Sequence, residues 1–168
     1  MKLHSRDLAL AAIFAALYAV GVLALASISF QIVQVRVADA LIPLSIVFGW
    51  PVMLGVTIGA AIANFASPLP SAPIDIALGS IANLIASLLA WRIGKWKAMP
   101  KRVSEFLGCV VATVAVTIIV GTYLAMLTGM ELWVGWLFIG AGSLISICFL
   151  GYILVQIMSR IQPSPSAT

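Results

Sequence analysis

Arg36 and Asp39 are the residues of this chain best placed to take part in chemistry. They lie within one helical turn of each other, in the polar stretch 31–41 between two long apolar runs. A guanidinium or a carboxylate near hydrocarbon costs about 2.5–3.5 kcal/mol on insertion scales, so such side chains usually face a protein interior or a wet cavity. Two interpretations follow: a pair of interfacial charges, or part of a binding site.

The composition places these charges in an integral membrane protein. Of 168 residues, 63% are hydrophobic and only 8% are charged, whereas about 25% of the residues in an average soluble domain are charged. The apolar runs are long and lack polar alternation, which indicates membrane-spanning helices and not barrel strands. In such a chain the net charge of +4 reports orientation in the bilayer first, so we expect no nucleic-acid partner.

The order of apolar runs predicts an all-α protein, a compact bundle of six transmembrane helices in one domain, residues 1–161. The stretch 37–65 reads as one long helix or as two short ones, and Gly49-Trp50-Pro51 near its middle favours a break. The proline-rich stretch 66–73 is predicted as a loop, and 162–168 as a short disordered tail. The expected helices cover about 8–26, 37–48, 51–65, 74–91, 103–127 and 132–159.

The distribution of basic residues decides between one and two helices in 37–65. With two helices, eight of the nine Lys and Arg residues share one side with both termini, and only Arg36 lies opposite. With one helix, the basic segment 92–102 would face away from the N-terminus. The positive-inside rule therefore favours six spans in the cell membrane with both termini cytoplasmic.

This topology brings three acidic residues to the external side. Asp39, Asp75 and Glu131 each lie at an external helix end, whereas Asp7 and Glu105 lie on the cytoplasmic side. One interpretation is that acids collect outside because nothing excludes them there. The other is an outward-facing pocket for a polar, hydrogen-bonding small molecule, including a cationic one.

Several activities lack the residues that they need. The one histidine, His4, lies outside the predicted spans, which leaves no intramembrane histidine for a zinc site or a protease dyad. Gly94-Lys95 is followed by Trp96 and does not form a phosphate-binding loop. We therefore expect no catalytic residues, no metal, no cofactor and no ATPase activity, and instead a binding subunit that is driven by partners.

Three motifs, in order, resemble one family. Residues 34–41, QVRVADAL, resemble a signature that reads QVR, then Ile or Val, then SEAL; 59–64, GAAIAN, and 75–82, DIALGSIA, resemble two further motifs. Together they resemble the QueT family of queuosine-precursor uptake proteins, which are substrate-binding (S) components of energy-coupling factor (ECF) transporters. The likeness runs from the first helix to about residue 155.

The resemblance implies a six-helix S component with an external pocket closed by the loops after helices 1, 3 and 5. It also implies a transmembrane coupling (T) subunit and two cytoplasmic ATPases as partners in the lipid bilayer. Alanines of helix 1 would contact the coupling subunit, and small residues four apart do permit close helix approach, although an alanine-rich helix yields such spacings by chance. These alanines are Ala11, Ala12, Ala15, Ala16 and Ala19.

The implied ligand is a 7-deazaguanine base, which in one precursor bears a cationic aminomethyl arm. Asp39 and Asp75 could divide the base edge and the arm between them. Asn64 and Asn83 could bond the base or only link helices, and Trp133 or Trp136 could stack on the base or belong to an interfacial belt. The substrate-binding residues expected are Arg36, Asp39, Asn64, Asp75, Asn83, Glu131, Trp133 and Ser143.

Two positions depart from the family pattern. Asp39 is one methylene shorter than the glutamate of the signature, and Ser143 follows Gly142 where a glutamate is common. These changes leave three readings open: an S component for a deazaguanine, an S component for another vitamin-like ligand, and a stand-alone facilitator for a small solute. A purely structural membrane subunit is a further alternative of a different class.

Overall fold

The structure is a computed structural model that describes residues 4–29, 35–66 and 72–161. The described residues form a bundle of six main helical segments, with a further four-residue helix, Ala26–Ser29, after the first, which confirms the predicted fold class. Four are long and apolar enough to cross a membrane, and two are shorter apolar helices. The segments are α1 (Ser5–Ala24), α2 (Val37–Phe48), α3 (Trp50–Asn64), α4 (Ala72–Gly94), α5 (Lys101–Thr128) and α6 (Leu132–Ile161).

The break inside 37–65 lies at the predicted place. Gly49 has φ 73° and ψ −141°, a conformation that glycine adopts at little cost and that other residues avoid. Pro51 follows in the first turn of α3, where its missing N–H removes no helical hydrogen bond. The long apolar stretch is therefore two short helices joined by a sharp turn.

The first part of α2 is a 3₁₀ helix, which the sequence does not predict. It covers Val37–Leu44, and Ser45–Phe48 continues as α-helix. A 3₁₀ helix rises about 2.0 Å per residue against 1.5 Å in an α-helix, so the same residues reach further across the bundle. The 3₁₀ geometry therefore lengthens an unusually short segment.

Contacts between helices fix their directions. Gly55 packs against Ala11 and Gly59, four residues on, packs against Ala15, so α3 runs parallel to α1. Asn64 bonds to Asp75, and Gly121 packs against Gly135, so α4 and α6 run antiparallel to α3 and α5. We call the end that carries both described termini the basic end. Its cationic residues are Arg6, Arg92, Lys95, Lys97, Lys101, Arg102 and Arg160.

The opposite end, which we call the acidic end, carries Asp39, Asp75 and Glu131. This is the grouping that the positive-inside rule predicts for six spans. Lys2, the tail 162–168 and residues 30–34 and 67–71 lie outside the described residues. The predicted loops after helices 1 and 3 therefore stay predictions, whereas the third, at Gly129, is a turn with φ 70°.

Glycines hold the helices at close range. A Cβ at Gly59 would lie 2.7 Å from the Ala15 carbonyl oxygen and 2.8 Å from Tyr18 Cβ, and one at Gly55 would lie 2.7 Å from the Ala11 carbonyl oxygen. In a bilayer, burial of apolar surface away from lipid brings no hydrophobic gain. Close van der Waals packing of this kind is therefore a main source of attraction between helices. Gly55 and Gly59, four residues apart on α3, therefore form the seam with α1.

Helix ends differ in detail from the prediction. α1 begins at Ser5, about three residues before the predicted start of the first helix, with His4 at the N-cap and no side-chain capping bond. Within α6 a π-helical stretch, Leu144–Gly151, interrupts the α-helix. Gly151 at the end of this stretch packs against Pro43 of α2, so α2 and α6 approach closely at this point.

The α1–α3 seam predicts a strong effect of one added methyl group. Gly59→Ala should lower the thermal stability of the detergent-solubilised protein by the equivalent of about 1–3 kcal/mol, because backbone must shift to admit the methyl. The measurement is a melting curve followed by helix content. Gly140→Ala is the control, since its Cβ would approach only the Thr117 side chain, at 3.2 Å. Equal melting of the two variants would contradict the seam.

Candidate substrate-binding site

Six of the eight predicted substrate-binding residues lie buried in the bundle. Each is no more than 6% exposed, although each carries a charge, an amide or a hydroxyl. Five of them belong to α2, α3, α4 or α6, and Arg36 immediately precedes α2. They are Arg36, Asp39, Asn64, Asp75, Asn83 and Ser143.

Four of these residues line one internal cavity. Arg36 and Asp39 contribute from the start of α2, Asn83 from α4 and Ser143 from α6. The remaining wall is a glycine and apolar side chains: Gly79, Val116, Val120 and Ile139. A few convergent polar groups in an apolar wall are typical of small-molecule sites.

Asp39 is held by a tyrosine of α1. The Tyr18 hydroxyl donates a hydrogen bond to Asp39 Oδ1 at 2.5 Å, and Tyr18 is fully buried. A bond from a hydroxyl to a carboxylate is charge-assisted and stronger than one between neutral groups. Tyr18 therefore fixes the position of this carboxylate beside the cavity.

Asp75 is held in the same way by a tyrosine of α5. The Tyr123 hydroxyl donates to Asp75 Oδ1 at 2.6 Å. Asp75 Oδ2 is buried without a hydrogen-bond partner among the described residues. A buried carboxylate oxygen in that condition has a large unmet hydrogen-bonding capacity, so Asp75 retains one oxygen for a further donor.

The two asparagines both link helices. Asn64 Nδ2 donates to the Asp75 carbonyl oxygen at 2.9 Å, and Asn83 Nδ2 donates to the Val56 carbonyl oxygen at 3.4 Å. Asn64 Oδ1 has no partner among the described residues. Asn83, with a long bond, also lines the cavity. Linking helices and facing the cavity are therefore compatible roles for Asn83.

Arg36 joins the two tyrosine–aspartate pairs into one electrostatic cluster. Its positive charge acts electrostatically on Asp39 and Asp75 and on both tyrosine hydroxyls. One guanidinium faces two carboxylates, so with all three ionised the cluster carries a net charge of −1. Buried charges of this kind are stabilised only when they compensate one another.

The cavity is small in this structure. Its volume is about 10 Å³, which is about what one water molecule needs. Pockets for small organic ligands commonly have about 300 Å³ or more. A heterocyclic base could enter only if the walls moved apart.

Glu131 and Trp133 are not brought into the cavity. Both lie exposed at the acidic end, in the turn after α5 and the first turn of α6, and the Trp133 indole N–H donates to the Glu131 carboxylate. Trp136 is also exposed, and its N–H donates to Thr122 Oγ1 at 3.0 Å. These residues share the end of the bundle with the site but do not contact it.

The alanines of α1 divide between two faces. Ala15 and Ala19 are buried, and the Ala11 and Ala15 backbone packs against Gly55 and Gly59 of α3. Ala12 and Ala16 are exposed on the outer surface. Ala11, Ala15 and Ala19 therefore pack inside the bundle. Of these five alanines, only Ala12 and Ala16 face outward.

Tyr18 and Tyr123 belong to the site but were not predicted from the sequence. Neither lies in a recognisable motif, and tyrosine is common in membrane helices near the interface. One signal was present, because an isolated tyrosine within a span needs a partner for its hydroxyl. The acceptors that it could have suggested are the two aspartates at the acidic end.

These features define a multi-pass membrane protein with a buried polar site near one end of its bundle. The chain matches the model of the QueT transporter family over residues 8–160. It therefore belongs to the QueT transporter family, a family of queuosine-precursor transporter S components. Neither the curated proteins nor the solved structures compared with the chain gave a match.

The two tyrosine–aspartate bonds predict specific stability effects. Tyr18→Phe and Tyr123→Phe should each lower the stability of the solubilised protein by about 1–3 kcal/mol, because a buried carboxylate loses a donor. Thermal or denaturant unfolding measures the change. Tyr152→Phe is the matched control: its ring contacts Phe106 edge-on, and it should melt like the parent. If all three variants unfold alike, the two bonds do not contribute.

Proposed function

We propose that this chain is the substrate-binding S component of an ECF-type importer that captures a 7-deazaguanine queuosine precursor. Partner subunits, a transmembrane coupling subunit and two cytoplasmic ATPases, would drive the uptake. The observation that carries the proposal is the buried cluster of Arg36, Asp39 and Asp75 beside a cavity, in a member of the QueT family.

The charges of the site favour a cationic ligand. One guanidinium between two carboxylates leaves one negative charge when all three are ionised, and isolated charge inside a membrane protein is costly. An ammonium arm on the ligand would complete the balance. The buried Asp75 Oδ2 supports Asp75 as its acceptor, which leaves Asp39 for the donor edge of the base.

Neutral groups support recognition of the rest of the base. Asn83 and Ser143 line the same cavity as Asp39 and offer both donors and acceptors. Asn64 has an amide oxygen close to Asp75 that still lacks a donor among the described residues. In the proposal these groups bond the remaining polar atoms of the heterocycle.

Glu131 and Trp133 have a different place in the proposal. They lie exposed on the surface of the acidic end and not at the cavity. The base can enter only when the walls of the cavity separate. Exposed residues at the acidic end would then contact the base during entry. An exposed indole next to a carboxylate suits a flat cationic base.

The orientation follows from the same charges. The cationic residues of the described chain other than Arg36 lie at the basic end with both termini, and the positive-inside rule assigns that end to the cytoplasm. The acidic end and the site would then face outward in the cell membrane. This direction is the one that an importer needs.

The site predicts which substitutions weaken ligand binding. Asp39→Asn and Asp75→Asn should each weaken binding of aminomethyl-deazaguanine by about tenfold or more, because a charge-assisted bond becomes a neutral one. The measurement is calorimetry on the purified protein, with cyano-deazaguanine, guanine, thiamine, riboflavin and biotin as comparison ligands. Asp7→Asn, in the first turn of α1 at the basic end, is the control and should bind like the parent.

Three outcomes would separate the alternatives. Folded protein that binds no deazaguanine would contradict the ligand and leave the family membership in place. Binding that survives both aspartate substitutions would contradict the site. Solute movement into liposomes that contain this chain alone, without ATPases, would contradict the coupled importer and support the facilitator.

The exposed face of α1 predicts where the coupling subunit binds. Ala12→Leu and Ala16→Leu should abolish co-purification with the coupling subunit and ATPases, because bulk on that face prevents close helix approach. Both variants should keep the parent's ligand binding and melting temperature. Ala141→Leu, at an exposed alanine of α6, is the control and should co-purify normally. Co-purification of all three variants would contradict this contact face.

A further inference from the structure

A second cavity opens at the basic end, far from the site described above. It lies where α4 ends and α5 begins, and its volume is about 320 Å³. Lys95, Lys97 and Lys101 line it together with the apolar or aromatic side chains of Ile46, Trp96 and Met99. From this combination we infer that the cavity binds the phosphate-bearing head group of an anionic membrane lipid.

The charged side chains that line this cavity add up to a net positive charge. Its one acidic residue, Glu105, is buried; Glu105 Oε2 accepts a hydrogen bond from Gln156 at 2.7 Å, and Glu105 Oε1 lies 3.9 Å from Lys101 Nζ. Three lysines and one glutamate give a net charge of +2. Lys95 and Lys97 therefore supply the excess charge for an anion.

The backbone adds to this potential. Helix α5 begins at Lys101, so the positive end of its dipole lies at the cavity wall, where phosphate oxygens are favourably placed. This feature alone would not define a ligand. Together with a formed cavity and two lysines in excess, it favours binding of an anion such as a phosphate group.

The other walls favour a lipid over a soluble phosphate. Trp96 is 55% exposed, and an exposed indole beside a helix end is typical of the level of lipid head groups. Ile46 and Met99 give the cavity an apolar side that a glycerol backbone can cover and a free phosphate ion cannot. Basic pockets between helices at a membrane surface are known to bind anionic head groups.

The test measures lipid retained by the purified full-length chain. Native mass spectrometry is carried out in detergent with added phosphatidylglycerol, and with phosphatidylcholine of the same acyl chains. We expect preferential retention of phosphatidylglycerol, weakened about tenfold in the double variant Lys95→Gln/Lys97→Gln, since each interfacial lysine contributes substantially to attraction of anionic lipid. Lys101 is left intact because it contacts Glu105.

The control removes the same charge from the same end outside the cavity. Arg6→Gln/Arg160→Gln should keep the parent's retention to within about threefold, because screened charges at a distance contribute little. Equal loss in both double variants would overturn the site in favour of a diffuse surface effect. Equal retention of the two lipids would also overturn it, as would displacement of the lipid by millimolar inorganic phosphate. None of these readouts depends on the deazaguanine ligand.

Discussion

One guanidinium and two carboxylates buried within a membrane bundle constrain the whole structure. Arg36, Asp39 and Asp75 come from the start of two different helices, and each is stable there only if the others and their hydrogen-bond donors are close. Tyr18 and Tyr123 supply those donors from two further helices. Four of the six helices must therefore meet at the acidic end, and the position of each is fixed by polar contacts there.

Small residues make that convergence possible. Long helices with bulky side chains would be held too far apart for a hydroxyl on α1 to reach a carboxylate on α2 at 2.5 Å. Gly59 brings α3 against Ala15 and Tyr18, and Gly121 faces Gly135 between α5 and α6. Packing is the main attraction between helices in lipid, so the glycines stabilise the bundle and also set the distances on which the polar cluster depends.

Most of the helical architecture could be predicted because its signals are local. Long apolar runs, the break at Gly49-Trp50-Pro51 and the clustering of basic residues each act within a few positions of the chain or through a simple rule of orientation. The 3₁₀ form of α2 and the π-helical stretch of α6 could not be predicted in this way. Both depend on how far a short or interrupted helix must reach to meet its neighbours, as Pro43 meets Gly151, and that distance is a property of the assembled bundle.

The residues of the candidate site also divide into those that could be predicted from the sequence and those that depend on the assembled bundle. Residue type and helix position suffice to select Arg36 and Asp39, since a charged group at the end of an apolar helix must find a partner or a cavity, whereas the family resemblance selects Asn83 and Ser143. Neither kind of reasoning gives the depth of a side chain, which is why Glu131, selected by its position, and Trp133, selected by the resemblance, both lie on the surface. Neither kind of reasoning selects Tyr18 and Tyr123 as site residues, because a hydroxyl within a span becomes informative only when its acceptor on another helix is known. Long-range hydrogen bonds, more than secondary structure, are therefore what a single sequence leaves undetermined in this family member.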